Sequence, residues 1–195
     1  MKRHLNRTLA LSLAISLHAA PLLLAGPAVA GRVSGVSMAD SVRVEGRLLR
    51  LNGMANYRKF GFQVLVAGLY LSERSSRADA ILAADSPRRY VTHFMRSVGA
   101  ERICEAWRDG LKANSPHATA EVREQFRTLC RWMRDFRKGD EITVTYLPGR
   151  GSEVEINGIP IGMMRGKGFA DAYFALALGP KPSLGKKFKQ RLLGG

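Results

Sequence analysis

The sequence is short of the residues that most catalytic centres are built around. Of its 195 residues, four are histidine and two are cysteine. His4 and His18 precede residue 30. His93 falls in a strand-like stretch and His117 in a loop-like one, so neither begins a metal cluster. There is no Cys-x-x-Cys and no Gly-x-Ser-x-Gly elbow. Gly166-x-Gly168 lacks the third glycine and the strand-then-helix setting of a dinucleotide loop. Acids are scarce, 16 against 31 Lys and Arg, and no two share a core-facing helical position as a general acid and base would. These absences point away from a resident metal or cofactor. Repeats, low-complexity tracts and linkers are also missing. No stripe of aromatics interleaved with Lys and Arg is present, which argues against a single-stranded nucleic-acid groove.

What is present begins with the first thirty residues. Lys2, Arg3 and Arg7 form a basic start, Leu9 to Leu17 an apolar core continued by Leu22-Leu23-Leu24, and Ala28-Val29-Ala30 a small-x-small cleavage site. His18, Pro21, Gly26 and Pro27 leave no clean run of about 20 apolar residues, which favours a cleaved signal over a membrane anchor. The expected organisation is a signal peptide over 1–30, a flexible lead-in over 31–41 and one domain over 42–195, periplasmic or secreted and monomeric. The leader holds three basic residues and no acid, so its loss takes the net charge from +15 to about +12. A field of that size favours anionic partners, an anionic membrane surface among them. Cys104 and Cys130 both lie in the mature part, where an exported chain can pair them. A bridge would close a loop of about 27 residues and contribute about 3.5 kcal/mol in the chain-entropy view. The alternative is two separate buried thiols.

From Ser41, apolar residues alternate through Val42, Val44, Leu49 and Leu51, predicting strands. Asn52-Gly53 reads as a turn. Phe60 to Leu71 is a long β-prone run, expected to be a central strand. A short helix over 78–84 and a strand over 90–95 follow. Ile103, Trp107 and Leu111 recur every four residues over 100–112, and Val122, Phe126, Leu129, Met133 and Phe136 mark a second helix over 118–136. Strands return over 141–146, 153–157 and 159–165, the last two joined at Asn157-Gly158, a strong hairpin signal. An amphipathic helix over 168–178 and a short terminal helix ending near Leu193 complete the chain. Strands, then a helical block, then hairpins, then helices imply an α+β fold with an antiparallel sheet covered on one face by a helical layer. Within it, Tyr57-Arg58-Lys59 precedes the most apolar strand. An arginine at the mouth of an apolar layer can pair bidentately with a carboxylate; the plain alternative is a surface charge.

Three stretches, LNGMANYRKFGFQVLVAGLYL at 51–71, GDEITVTYLP at 139–148 and NGIPIGMMRGKGFADAYFALALGPKP at 157–182, resemble the chalcone isomerase-like superfamily in its bacterial exported branch. The resemblance covers roughly 42–193. It implies an open-faced sandwich with ligand between sheet and helices. The plant enzymes of this superfamily close a chalcone to a flavanone with an arginine, a threonine, a tyrosine and an asparagine. Arg58 takes the arginine place, the threonine place falls at Val66, and the other two fall near Gly99 and Ala106. The hydroxyl network is therefore missing, and isomerase activity is doubtful. A second branch binds fatty acids, an arginine and a tyrosine holding the carboxylate; many bacterial relatives carry a tyrosine near position 65, where this chain has Leu65. The expectation is an exported, non-catalytic protein binding a fatty acid or similar apolar anion. Arg58 would hold the anion with Tyr57, Tyr70 or Tyr90, and Phe62, Val64, Val66, Trp107 and Phe174 would line the slot. The alternative is an intramolecular lyase acting on a phenolic substrate.

Overall fold

A computed structural model describes residues 29–195. The expected signal peptide lies outside the described residues except for Val29 and Ala30, whose backbone enters the first strand. The elements run β1 (Val29–Val33), β2 (Val36–Ala39), β3 (Ser41–Val44), β4 (Arg47–Lys59), β5 (Phe62–Leu71), α1 (Ala78–Ala83), β6 (Arg88–Phe94), α2 (Ala100–Asn114), α3 (Ala120–Trp132), β7 (Glu141–Leu147), β8 (Gly151–Ile156), β9 (Ile159–Met164), α4 (Lys167–Leu178) and α5 (Lys186–Leu192). The sheet is antiparallel with seven strands in chain order, β3 to β9. The fold is the expected α+β one. Among the described residues no helix is long and apolar enough to cross a membrane.

Strand alternation sorts the sheet into two faces. Ala67, Leu69 and Leu71 of β5 join Tyr90 and Phe94 of β6 and Ile142, Val144 and Tyr146 of β7 in the main core, under α2, α3 and α4. Val66 and Tyr70 lie on the opposite face in a second cluster with Met38, Leu49, Leu51 and Val91. The ribbon β1–β2 contributes Met38 to that cluster, so the far face carries a partial cover. The segment 31–41, expected as a flexible lead-in, carries most of that ribbon.

Three local expectations change. The helix expected over 118–136 ends at Trp132, and Phe136 instead forms a β-bridge with Val98. Asn52-Gly53 is no turn: both residues sit inside β4, where the ladder skips a residue between Leu51 and Gly53. Asn52 Nδ2 donates to the carbonyls of Leu192 at 2.8 Å and Ser75 at 3.0 Å, tying α5 to the strand. A Cβ on Gly53 would overlap the carbonyl oxygens of Arg191 and Leu192, so this glycine serves close backbone approach. Helix α4 is not amphipathic: from Phe169 to Leu178 every residue except Asp171 is buried, because the helix is packed by α1, α2, α3 and the sheet.

A fully buried arginine fixes α4. Arg88 Nη1 donates to the Ile81 carbonyl at 2.7 Å, Nη2 reaches Asp171, and the guanidinium lies 5.1 Å from the Tyr146 ring and 4.9 Å from that of Phe174. Lys167 Nζ holds the same Asp171 carboxylate and the Leu82 carbonyl. The charge thus leaves water only with partners around it. On the other side, Cys104 of α2 and Cys130 of α3 form a disulfide with Cα atoms 5.6 Å apart. Thr119 Oγ1 caps α3 by accepting from Val122 N.

Candidate functional site

The sheet and helices do not close on each other completely. A cavity of about 170 Å³ separates them. Tyr57 of β4, Leu65 of β5, and Tyr90, Thr92 and Phe94 of β6 form its floor, with Ile103 and Trp107 of α2 and Tyr173 and Phe174 of α4 as its roof. The size is close to that of an engineered apolar protein cavity of about 150 Å³ that admits benzene. Through Tyr57, Val64, Val98 and Arg102 it continues into an outer groove of about 920 Å³, further lined by Lys59, Phe60, Phe62 and Arg96.

The cavity wall is aromatic. The Tyr173 ring meets Tyr90 at 6.3 Å, Trp107 at 6.0 Å and Phe174 at 6.0 Å, all edge to face. Tyr90 is 9% exposed and Tyr173 5%. Among the described residues neither hydroxyl has a hydrogen-bond partner, although a buried tyrosine usually finds one. Burial pushes the Tyr90 hydroxyl well above the usual phenol range, with the neighbouring Tyr173 adding to it, and burial alone does the same to Tyr173. Both therefore stay protonated and available as donors. At the mouth, Arg102 of α2 is exposed and bonds Glu105 at 3.3 Å. Among the described residues the lining holds no carboxylate and no histidine. Among the described residues no group of three or more His, Cys, Asp or Glu is placed to hold a metal.

Of the residues singled out in the sequence, Tyr57, Val64, Tyr90, Trp107 and Phe174 come together at the cavity. Phe62 stands outside, 64% exposed in the groove. Val66 and Tyr70 lie behind the sheet, where Tyr70 Oη donates to the Ala39 carbonyl at 3.0 Å. Arg58 is also away from the cavity: it is exposed and its Nη2 donates to the Gly61 carbonyl at 3.0 Å, across its own hairpin turn. The cause is strand alternation, shifted by the extra residue at Asn52: before it Leu49 and Leu51 face the far side, after it Met54 does, so Ala55 and Tyr57 face the core and Arg58 points the other way. Tyr173, Thr92 and Arg102 were not anticipated. Tyr173 is a polar tip in an otherwise apolar helix, and Arg102 lies one turn before Ala106 on α2; those were the available signals.

An antiparallel sheet roofed by helices, with a ligand-sized apolar cavity between the layers, defines a chalcone isomerase-like open-faced sandwich. The chain belongs to the chalcone isomerase-like family, whose profile matches residues 30–194. No curated protein sequence matches it. Among solved structures it is similar to a fatty-acid binding protein of Arabidopsis thaliana, with a TM-score of 0.62 and 16% identity, covering 82% of this chain and 92% of that one. At that identity the likeness speaks for the fold.

Proposed function

We propose that the protein is an exported, non-catalytic binding protein for an apolar anion of the fatty-acid kind. The observation that carries this reading is the apolar cavity between sheet and helices. Its polar side chains, the hydroxyls of Tyr57, Tyr90, Thr92, Tyr173 and Ser183 and the Arg102 guanidinium at the mouth, can all donate. Donors can hold a ligand oxygen; among the described residues the lining offers no carboxylate or imidazole to take a proton from carbon. The Arabidopsis relative in fold is a fatty-acid binding protein, which supports the same class of ligand. The Cys104–Cys130 disulfide suits an oxidising compartment outside the cytoplasm.

With Arg58 turned away, a carboxylate deep in the cavity would have no cation, and burying it there would be costly. The anionic end therefore sits at the mouth beside Arg102. The apolar end enters the cavity, each buried methylene contributing about 0.8 kcal/mol. A long chain exceeds 170 Å³ and continues along the outer groove. Native mass spectrometry of purified protein, before and after adding a fatty acid, tests the reading. Bound lipid is expected, with affinity weakened about tenfold or more by Arg102→Ala and unchanged by Arg58→Ala. A protein that stays empty with fatty acid in excess overturns it. Loss of chalcone absorbance faster than in buffer would replace it with the lyase.

A further inference from the structure

The β4–β5 hairpin ends in two phenylalanines that pack against nothing sufficient to hide them. Phe60 is 88% exposed and Phe62 64%. The turn between the strands is Phe60-Gly61, with φ 50° and 82°. Positive φ at both positions is the geometry for which Asn-Gly is preferred, and the β8–β9 turn meets it with Asn157-Gly158 at φ 52° and 75°. A bulky residue in the left-handed region is an outlier, because its Cβ crowds the following carbonyl. Phe60 bears that strain while giving almost no area to the fold, so its use lies outside the molecule.

The charge around the tip indicates where. Lys59 Nζ is 5.7 Å from the Phe60 ring and Arg96 Cζ is 5.4 Å from the Phe62 ring. Arg58 projects beside them, its Nη2 donating to the Gly61 carbonyl. Among the described residues none of these three cations is in a salt bridge. The acids of the adjoining groove, Glu105 and Asp109, belong to α2, and Arg102 pairs with Glu105. Strand direction puts further groups at the same end of the sheet. Phe94 pairs with Leu65, His93 with Glu141 and Ile142 with Ile156, so the exposed Arg137 and Lys138 before β7 and the 67% exposed Ile159 after β8 lie at the tip's end. Apolar points among unpaired cations match an anionic bilayer, which offers an acyl boundary for aromatics and phosphates for Arg and Lys.

We propose that this hairpin tip docks the protein on an anionic lipid bilayer, with Phe60 and Phe62 entering the headgroup–acyl boundary and Arg58, Lys59 and Arg96 on lipid phosphates. The docked surface includes the groove that leads through Tyr57 and Val64 to the cavity. A ligand then passes between bilayer and cavity without crossing water. Docking itself does not depend on what the cavity holds.

Co-sedimentation with vesicles of phosphatidylethanolamine, with and without phosphatidylglycerol, tests this. The protein is expected to bind the phosphatidylglycerol vesicles, to leave the neutral ones in solution and to dissociate as salt is raised. The double variant F60N/F62S is expected to bind about tenfold or more weakly. Phe60→Asn alone is expected to melt about 2–4 °C higher, because it relieves the turn, which separates lost docking from lost folding. Equal binding to neutral and anionic vesicles, or undiminished binding by F60N/F62S, overturns the proposal. The second result is also what a tip built for a protein partner would give.

Discussion

Tyr90 and Tyr173, one on the sheet and one on α4, meet edge to face with ring centroids 6.3 Å apart, and among the described residues neither hydroxyl has a partner beside the cavity. Replacing either with phenylalanine removes no internal hydrogen bond. Tyr90→Phe and Tyr173→Phe are therefore expected to leave the thermal midpoint unchanged or raised. Affinity for a ligand bearing an oxygen at its inner end is expected to fall about fivefold for each hydroxyl removed. Calorimetry and a ligand titration on the same samples read both effects. A loss of stability would show that these hydroxyls hold the fold.

The tyrosines also set an alkaline limit. Burial pushes the hydroxyls of Tyr70 and Tyr146 up to about 12, helped in Tyr146 by its bond to Asp85, and Tyr90 and Tyr173 lie higher. A phenol raised in the fold favours folding fully below its unfolded value of about 10. That contribution is lost as pH rises through the folded value. Absorbance of the phenolates and circular dichroism, followed from pH 9 upward, should show these four tyrosines ionising together with unfolding. Ionisation of all four in a still-folded chain would contradict it.

The disulfide joins α2, which carries Ile103, Trp107 and Arg102, to α3. The double variant C104S/C130S is expected to lose about 3 kcal/mol and to bind ligand more weakly, since one wall of the cavity is then free to shift. Denaturant unfolding in oxidised and reduced states, with a ligand titration on each, checks this.

Arg88→Ala removes the cation that ties α1 to Asp171 and packs between Tyr146 and Phe174. A loss of about 3–5 kcal/mol is expected, measurable by urea unfolding. The cavity should suffer with it, because Phe174 is a lining residue. Arg58→Ala, by contrast, should cost less than about 0.5 kcal/mol, since its hydrogen bond to Gly61 is exposed.

Much of the fold was legible in the sequence because period and punctuation agree with each other. The β-prone run from Phe60 to Leu71 and the four-residue spacing of Ile103, Trp107 and Leu111 gave the right elements in the right order. The site was legible only in part, because a single extra residue decides which side of a strand faces the ligand. Tyr57 and Arg58 are neighbours, and only one can face the cavity; the extra residue at Asn52 shifts the alternation of β4 and so sets the choice, and it leaves no trace in the local pattern. Asn52-Gly53 misled for a related reason: what the glycine accommodates is the backbone of α5, about 140 residues along the chain. Arg102 needed the tertiary structure, since its place one turn before Ala106 puts it on the right helix but does not mark the mouth of a cavity.

The sheet has one more consequence, in time rather than in space. Its strands lie in the order in which they occur along the chain, so every ladder joins strands that are consecutive in sequence. No strand has to wait for a partner from the far end, and no later segment has to slip between two already paired. Closing such ladders asks little loop entropy of the chain. A chain delivered N-terminus first can add each strand to the growing edge as it emerges, with α4 and α5 arriving last to seal the apolar face and close the cavity.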